Sequence, residues 1–168
     1  PRPRELLALA LPYLRPRGLI LDLAMGLGVN ARWLVEHEFR VVGVDIASKA
    51  VLQAKRRCPP LMGVIADLNE FPIPTLAFDA VLNFYFLDRG LLQDLARIVR
   101  PGGFAIVETL MVDMLEIRPD MPREYLLQKE ELPGFFSAWN ILFYQEGWRA
   151  SDHGGQKSIA RLIAQAKA

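Results

Sequence analysis

Leu21-Asp22-Leu23-Ala24-Met25-Gly26-Leu27-Gly28 decides the fold. Leu19–Leu23 is an apolar run broken only by Asp22, the pattern of a strand covered on both faces in a parallel sheet. Gly26 and Gly28 then allow a tight turn and a close approach of backbone to a ligand. The spacing predicts a helix over residues 30–38, with Asn30 as its cap. The first N–H groups of such a helix lack intrahelical partners and suit a carboxylate or a phosphate. Strand, glycine turn and helix together are the opening unit of an open α/β sheet, whose ligands bind beyond the C-terminal ends of the strands.

Outward from that unit the same alternation continues. Residues 5–14 read as a helix, with Leu6, Leu7, Leu9, Ala10 and Leu14 on one side. Residues 40–44 read as a second strand ended by Asp45, and Ser48 can cap a helix running to Arg57. A third strand over residues 61–66 ends at Asp67, and a fourth spans residues 79–84. A helix over residues 91–99 stops at Arg100-Pro101-Gly102-Gly103, and a fifth strand follows over residues 104–109. The last third differs: residues 118–122 are loop-like, residues 126–136 partly helical, and residues 141–146 and 157–166 read as two final strands. Residues 147–156 are enough for a hairpin connection and too few for a helical crossover, so these two strands should pair antiparallel. The expectation is an α/β fold in one domain over residues 1–168, with five parallel strands and a terminal antiparallel pair.

Composition bounds the function. Hydrophobic residues make up 52% and charged residues 23% of the 168, which excludes a disordered chain. A formal net charge of +1, with Arg56-Arg57 the one adjacent arginine pair, gives no footprint for nucleic acid. No apolar run approaches the ~20 residues of a membrane span, and the Pro- and Arg-interrupted N-terminus does not read as a signal peptide. Cys58 stands alone, which points to a reducing cytoplasm rather than a disulfide scaffold. His37 and His153 share no ligand spacing with each other or with Cys58, so no metal site is expected. Whether the chain is a monomer or a homodimer stays open.

The chemistry lies at the strand ends. Asp45 ends the second strand near the roughly 20-residue distance at which a carboxylate recognises ribose hydroxyls. That favours an adenosine-type ligand over a plain turn aspartate. Gly26-Leu27-Gly28-Val29-Asn30-Ala31 fits the G-x-G-x-x-A form of dinucleotide sites, so an NAD(P)-binding oxidoreductase domain is one candidate. Three features point instead to S-adenosylmethionine. Asp22 would repel an anionic pyrophosphate and suits a cationic ammonium or sulfonium; its alternative role is a buried aspartate bonded to turn amides. Asp67 is placed to accept from an adenine amino group, or is a further turn residue. The terminal antiparallel pair is foreign to simple dinucleotide halves.

Residues 21–28 resemble the nucleotide-binding signature of class I SAM-dependent methyltransferases, with Ala24 where the family commonly has glycine. Residues 41–45 look like the family's acidic second-strand motif, Ala66-Asp67 like its adenine-contact motif, and Arg100-Pro101-Gly102-Gly103-Phe104 like its entry to strand five. The resemblance covers residues 5–110 by motif and the tail by architecture. It implies a Rossmann-like, mostly parallel seven-stranded sheet of order 3-2-1-4-5-7-6, strand 7 antiparallel, with helices on both faces. It further implies S-adenosylmethionine held by Asp22, Ala24, Gly26, Gly28, Asp45, Ile46, Ala66, Asp67, Leu68 and Asn83. A finer likeness is to small bacterial methyltransferases of the tellurite-resistance type. It is carried by residues 83–89, by Val107-Glu108-Thr109, by Tyr125-Leu126-Leu127 with Glu131-Leu132, and by Tyr144-Gln145-Glu146.

Methyl transfer from a sulfonium is an in-line displacement, so position and electrostatics are most of what the protein supplies. No general base follows from the reaction class alone. Glu108 and Tyr85 are the catalytic candidates, since both fall near strand ends at the expected crevice. Arg89 and Tyr125 are the candidates for holding a small-molecule acceptor, an oxyanion or a small metabolite; their alternatives are a solvated helix-start arginine and a tail-packing tyrosine. The aromatic residues Trp33, Phe135, Phe136, Trp139 and Phe143 read as core or lid. A non-catalytic adenosyl-ligand-binding protein is the third reading of the same pattern.

Overall fold

The computed structural model describes residues 3–151 and 154–168, so His153 lies outside the described residues. Seven strands form one sheet of order β3-β2-β1-β4-β5-β7-β6. At its centre β1 (Leu19–Leu23) runs parallel to β2 (Arg40–Asp45) on one side and to β4 (Phe78–Phe84) on the other. Beyond β2 lies β3 (Met62–Ile65), and beyond β4 lies β5 (Val99–Leu110), both again parallel. Then the direction reverses: β7 (Gln156–Gln165) is antiparallel to β5, and β6 (Asn140–Ala150) is antiparallel to β7 at the edge.

Helices cover both faces, as the continuous apolar strands require. On one face α1 (Glu5–Ala10), α2 (Val29–Glu36) and α3 (Ser48–Arg57) bring Leu6, Leu7, Ala31, Leu34, Val51 and Ala54 against Ile20, Val41, Leu82 and Ile106. On the other, α4 (Arg89–Ile98) and the short α5 (Glu131–Phe135) bring Leu92, Leu95, Leu132 and Phe136 against Leu21, Leu23, Val81 and Val107. By strand alternation Asp22 shares the first face with Ile20, among residues that are otherwise core. Its cost and its use are therefore one question.

Several expected details change, each for a local reason. Pro12 cannot continue the first helix, which gives way to a 3₁₀ turn at Leu11–Tyr13. Asn30 does not cap α2: Gly28 takes the cap position in a left-handed conformation, and the Asn30 Oδ1 accepts from the Arg4 backbone amide at 3.0 Å. Ser48 does not cap α3 either, whereas Asp88 does cap α4, accepting from the Leu91 amide at 2.8 Å. Arg100–Gly103, expected as the break between helix and fifth strand, instead lies inside β5 as a bulge, where Phe78 pairs with Val99 and Ala80 with Phe104. β6 is longer than expected, β7 keeps the expected ten residues one position earlier, and the two stay paired from Asn140↔Gln165 to Ala150↔Gln156. This long hairpin carries one further wall of the site.

Candidate active site

The turn after β1 is wound through three left-handed residues, Ala24 (φ +50°), Gly26 (φ +54°) and Gly28 (φ +67°). The two glycines serve different ends. A Cβ on Gly28 would sit 2.9 Å from the Ala54 Cβ, so glycine there lets α2 start close against α3. A Cβ on Gly26 would meet nothing within 4 Å, so that backbone faces open space. Asp45 braces the turn. Its Oδ2 accepts from the Gly26 amide at 2.7 Å and its Oδ1 from the Ala47 amide at 2.8 Å. Each oxygen keeps a second lone pair.

Two clefts meet at Ala24. The first, about 250 Å³, has apolar walls from Ile46, Leu68 and Phe86, is also lined by Ala66, and carries the carboxylates of Asp45 and Asp67. Ile46 is 68% exposed although aliphatic, a placement that folding alone does not reward. Asp67 shapes its own loop: its Oδ1 accepts from the Asn69 amide at 2.9 Å and from the Asn69 side chain at 3.0 Å. The second cleft, about 210 Å³, is lined by Asp22, Met25, Asn30, Tyr85 and Arg4. Burial, with the Asp45 charge added, pushes the Asp22 carboxyl up to about 7, against the opposing pull of the Ala31 amide. A buried carboxyl poised there gains from a cation placed beside it.

A third cleft, about 430 Å³, adjoins the second through Arg4, which lines both, and Glu108 and Lys157 line it. Tyr85 ties the two clefts together. Its hydroxyl donates to Glu108 Oε1 at 2.6 Å and accepts from Lys157 Nζ at 2.6 Å, while its backbone amide donates to the Glu108 carbonyl at 2.7 Å. Its φ of +58° is a strained conformation for a tyrosine, held by those three bonds. The Arg4 guanidinium lies 4.6 Å from the Tyr85 ring centroid.

A family model described as a methyltransferase domain matches residues 20–103, half of the chain, including the turns after β1, β2, β3 and β4. The chain belongs to this methyltransferase-domain family. Among curated relatives, the demethylmenaquinone methyltransferase of Beutenbergia cavernae is 34% identical over 98 residues, covering 55% of this chain and 41% of its own length. The trans-aconitate 2-methyltransferase of an Azoarcus species is 30% identical over 112 residues, covering 63% of this chain and 40% of its own. The chain spans about two-fifths to one half of the length of the first such relatives. Among solved structures, a SAM-dependent methyltransferase of Methanosarcina mazei superposes with a TM-score of 0.80 at 16% identity, covering 95% of this chain and 97% of that one. TehB of Haemophilus influenzae superposes at 0.78 and 17% identity, covering 96% and 61%. These likenesses establish the seven-stranded Rossmann-like fold.

Within this methyltransferase domain the expected site residues do not all converge. Asp22, Ala24, Asp45, Ile46, Ala66, Asp67 and Leu68 line the first two clefts, and Gly26 is braced by Asp45 beside them. Asn83 is buried on β4 next to Leu23, with neither its Nδ2 nor its Oδ1 bonded to protein. Arg89 is spent elsewhere. It donates to Glu131 Oε1 at 2.6 Å and Oε2 at 3.2 Å, to the Glu124 carbonyl at 2.8 Å and to the Leu126 carbonyl at 3.0 Å, so it staples the tail to α4. Tyr125 is 58% exposed and lines none of these clefts. The acceptor-holding assignment of both residues therefore lacks support in the geometry. Lys157 and Arg4 are additions to the expected set. Lys157 reaches Tyr85 across 72 residues through the β5–β7 pairing, and no local pattern announces that.

Among the described residues no group of three or more His, Cys, Asp and Glu side chains is placed to hold a metal ion. Nor is any helix among them long and apolar enough to cross a membrane.

Proposed function

We propose that this domain binds S-adenosylmethionine across the two clefts that meet at Ala24 and transfers its methyl group to a small-molecule acceptor. One observation carries the reading: a buried carboxyl in want of a cation, Asp22, stands beside an apolar slot flanked by two further carboxylates. NAD(P) would bring a pyrophosphate to the same place, where the Asp22 carboxylate repels it.

The residues fit the parts of the cofactor by their chemistry. Ile46, Leu68 and Phe86 would hold an adenine ring, with Asp67 accepting from its amino group. Asp45 would take ribose hydroxyls on its remaining lone pairs. Asp22 would face the ammonium, and the open side of Gly26 leaves room for the amino-acid portion. When bound, the cofactor supplies a methyl group already activated by its sulfonium for in-line displacement. An acceptor that must lose a proton meets the Tyr85 hydroxyl. A proton taken by the Tyr85 oxygen leaves Tyr85's own proton on Glu108, and the Lys157 ammonium stabilises the oxygen between them. An acceptor that is already anionic needs none of this.

The relatives named as demethylmenaquinone and trans-aconitate methyltransferases support a small-molecule acceptor. We read residues 1–168 as one domain, since all seven strands share one sheet. A cytoplasmic setting and the lack of a nucleic-acid partner rest on the lone buried thiol of Cys58 and the net charge of +1.

Titration calorimetry with S-adenosylmethionine and with NAD tests the reading. S-adenosylmethionine should bind and NAD should not; binding of NAD, or no binding of S-adenosylmethionine, overturns it. Asp45→Ala should cost the cofactor about 1–3 kcal/mol of affinity through lost charged hydrogen bonds.

A further inference from the structure

Two guanidiniums in the third cleft share too few acceptors. Arg149 and Arg161 both donate to the same Glu5 oxygen, Oε2, at 3.2 and 3.0 Å. Both also donate to the same neutral Gln145 oxygen, Oε1. Two full positive charges thus share one carboxylate oxygen and one amide oxygen, with the Phe143 ring centroid 5.4 Å from the Arg161 guanidinium. Arg161 is 3% exposed, and its Nε is buried with no hydrogen-bond partner. A buried charged donor left unbonded is a costly feature in a resting protein. The cost is recovered when an oxyanion occupies the cleft.

The surroundings say what kind. The cleft is lined by four cationic side chains, Arg4, Arg149, Lys157 and Arg161, and by two acidic ones, Glu5 and Glu108. Its volume, about 430 Å³, is many times that of an inorganic oxyanion and falls in the range of small-molecule sites. Trp148 and Ile159 give it an apolar wall suited to a carbon skeleton. Planar guanidinium forks match a carboxylate in two-point contact. The cleft adjoins the one that holds Asp22 at Arg4, and Tyr85 bonds across to Glu108 and Lys157.

We propose that this cleft is the acceptor site and that it takes a small organic acid, anchored through its carboxylate on Arg149 and Arg161. The proposal rests on the methyltransferase reading for the word acceptor, but the binding site stands on its own geometry.

The test is NMR titration of ¹⁵N-labelled protein, with and without S-adenosylhomocysteine, read at the arginine Nε–H resonances. The probes are succinate and benzoate, their neutral amides succinamide and benzamide, and inorganic phosphate. Either carboxylate should shift the Arg161 Nε–H saturably, the amides should not, and Arg149→Gln should weaken carboxylate binding at least about fivefold. Arg149 sits on the edge strand with a partly exposed side chain, so its replacement should leave the fold intact, as a dispersed spectrum would verify. The proposal is overturned if neither carboxylate gives a saturable shift, if amides bind as well as acids, if phosphate alone binds, or if Arg149→Gln changes nothing. Failure of S-adenosylhomocysteine to bind sinks the methyltransferase reading, and the carboxylate titration of the unliganded protein then decides separately whether the cleft binds organic acids.

Discussion

Replacing Asp22 by asparagine should make the protein more stable at high pH and worse at holding its cofactor. Burial raises the carboxyl from an ordinary 3.8 to about 7. The folded state therefore binds a proton more tightly than the unfolded chain does. The stability that Asp22 contributes is complete below pH 3.8 and is lost as pH rises through about 7. Between roughly pH 5 and pH 8 that loss works out at about 3 kcal/mol, from roughly 1.4 kcal/mol per unit with the curve flattening above 7. Asparagine has the same shape and no proton to lose. Urea denaturation of both proteins across this range, with the Asp22→Asn stability minus wild type plotted against pH, cancels every other titrating group. The difference should climb by about 3 kcal/mol from acid to alkaline. A flat difference would show that Asp22 is neither desolvated nor poised, and the case for a cation beside it would go too. In wild type, S-adenosylmethionine should bind more tightly as pH rises through about 7, with proton release on binding below that pH.

The glycine turn should divide by role. Gly28→Ala should destabilise by about 2–4 kcal/mol in denaturant melts, adding a left-handed alanine to a clash with Ala54. Gly26→Ala should cost only ~1–2 kcal/mol of stability yet weaken cofactor binding measured by calorimetry, since its Cβ fills open space in the site. Arg89→Ala should lower stability by about 1–2 kcal/mol and leave S-adenosylmethionine affinity alone, because Arg89 holds Glu131 and the tail; a loss of affinity would return Arg89 to the site. Asn83→Leu keeps the heavy-atom count and removes two unbonded polar atoms, so the unliganded protein should gain about 1–3 kcal/mol while methyl transfer falls. Stabilisation with full activity would make Asn83 a bystander.

What the sequence made legible was local. Asp22, Ala24, Gly26 and Gly28 fall on one strand end and its turn, Asp45 ends β2 as expected and Asp67 follows β3 by two residues, so that half of the candidate site needed only strand periodicity and turn chemistry. Caps are hard to read where other groups take up a helix start. Asn30 accepts from the Arg4 amide instead, and the Ala50 and Val51 amides that a Ser48 cap would take donate to the Ala47 carbonyl. The bulge at Gly102 (φ +77°) hides the first part of β5, since Pro-Gly-Gly ordinarily ends a strand. The third cleft was out of reach. It is assembled from α1, β5, β6 and β7, and Arg161 meets Glu5 across 156 residues. Only the antiparallel register of β7 on β5, which sets Arg161 opposite Glu108, brings these charges to one face.

The unfavourable features of the fold are not spread evenly. Of the six described non-glycine residues with positive φ, Arg17, Glu38, Leu76 and Glu130 lie in connections between elements, where such geometry is common. Ala24 and Tyr85 instead follow directly on β1 and β4, the two central strands. On the same two strands, one pair apart in register, sit the buried Asp22 and the unbonded Asn83. Leucine at either position would suit the neighbouring core better, and glycine would suit position 24 better than alanine does. Random tolerance of destabilising residues would scatter them through the sheet. Their concentration at the C-terminal ends of adjacent parallel strands, where an open α/β sheet offers its crevice, means that the crest is held in a costly state by the well-packed layers beneath it. A cationic ligand in the cleft after β1 would relieve Asp22, whereas Asn83, one pair on, faces the opposite layer with Leu23 and lines none of the three clefts. One cleft lined by Asp22, Ala24 and Tyr85 is what ties the glycine turn after β1 to the strained tyrosine after β4 as a single site.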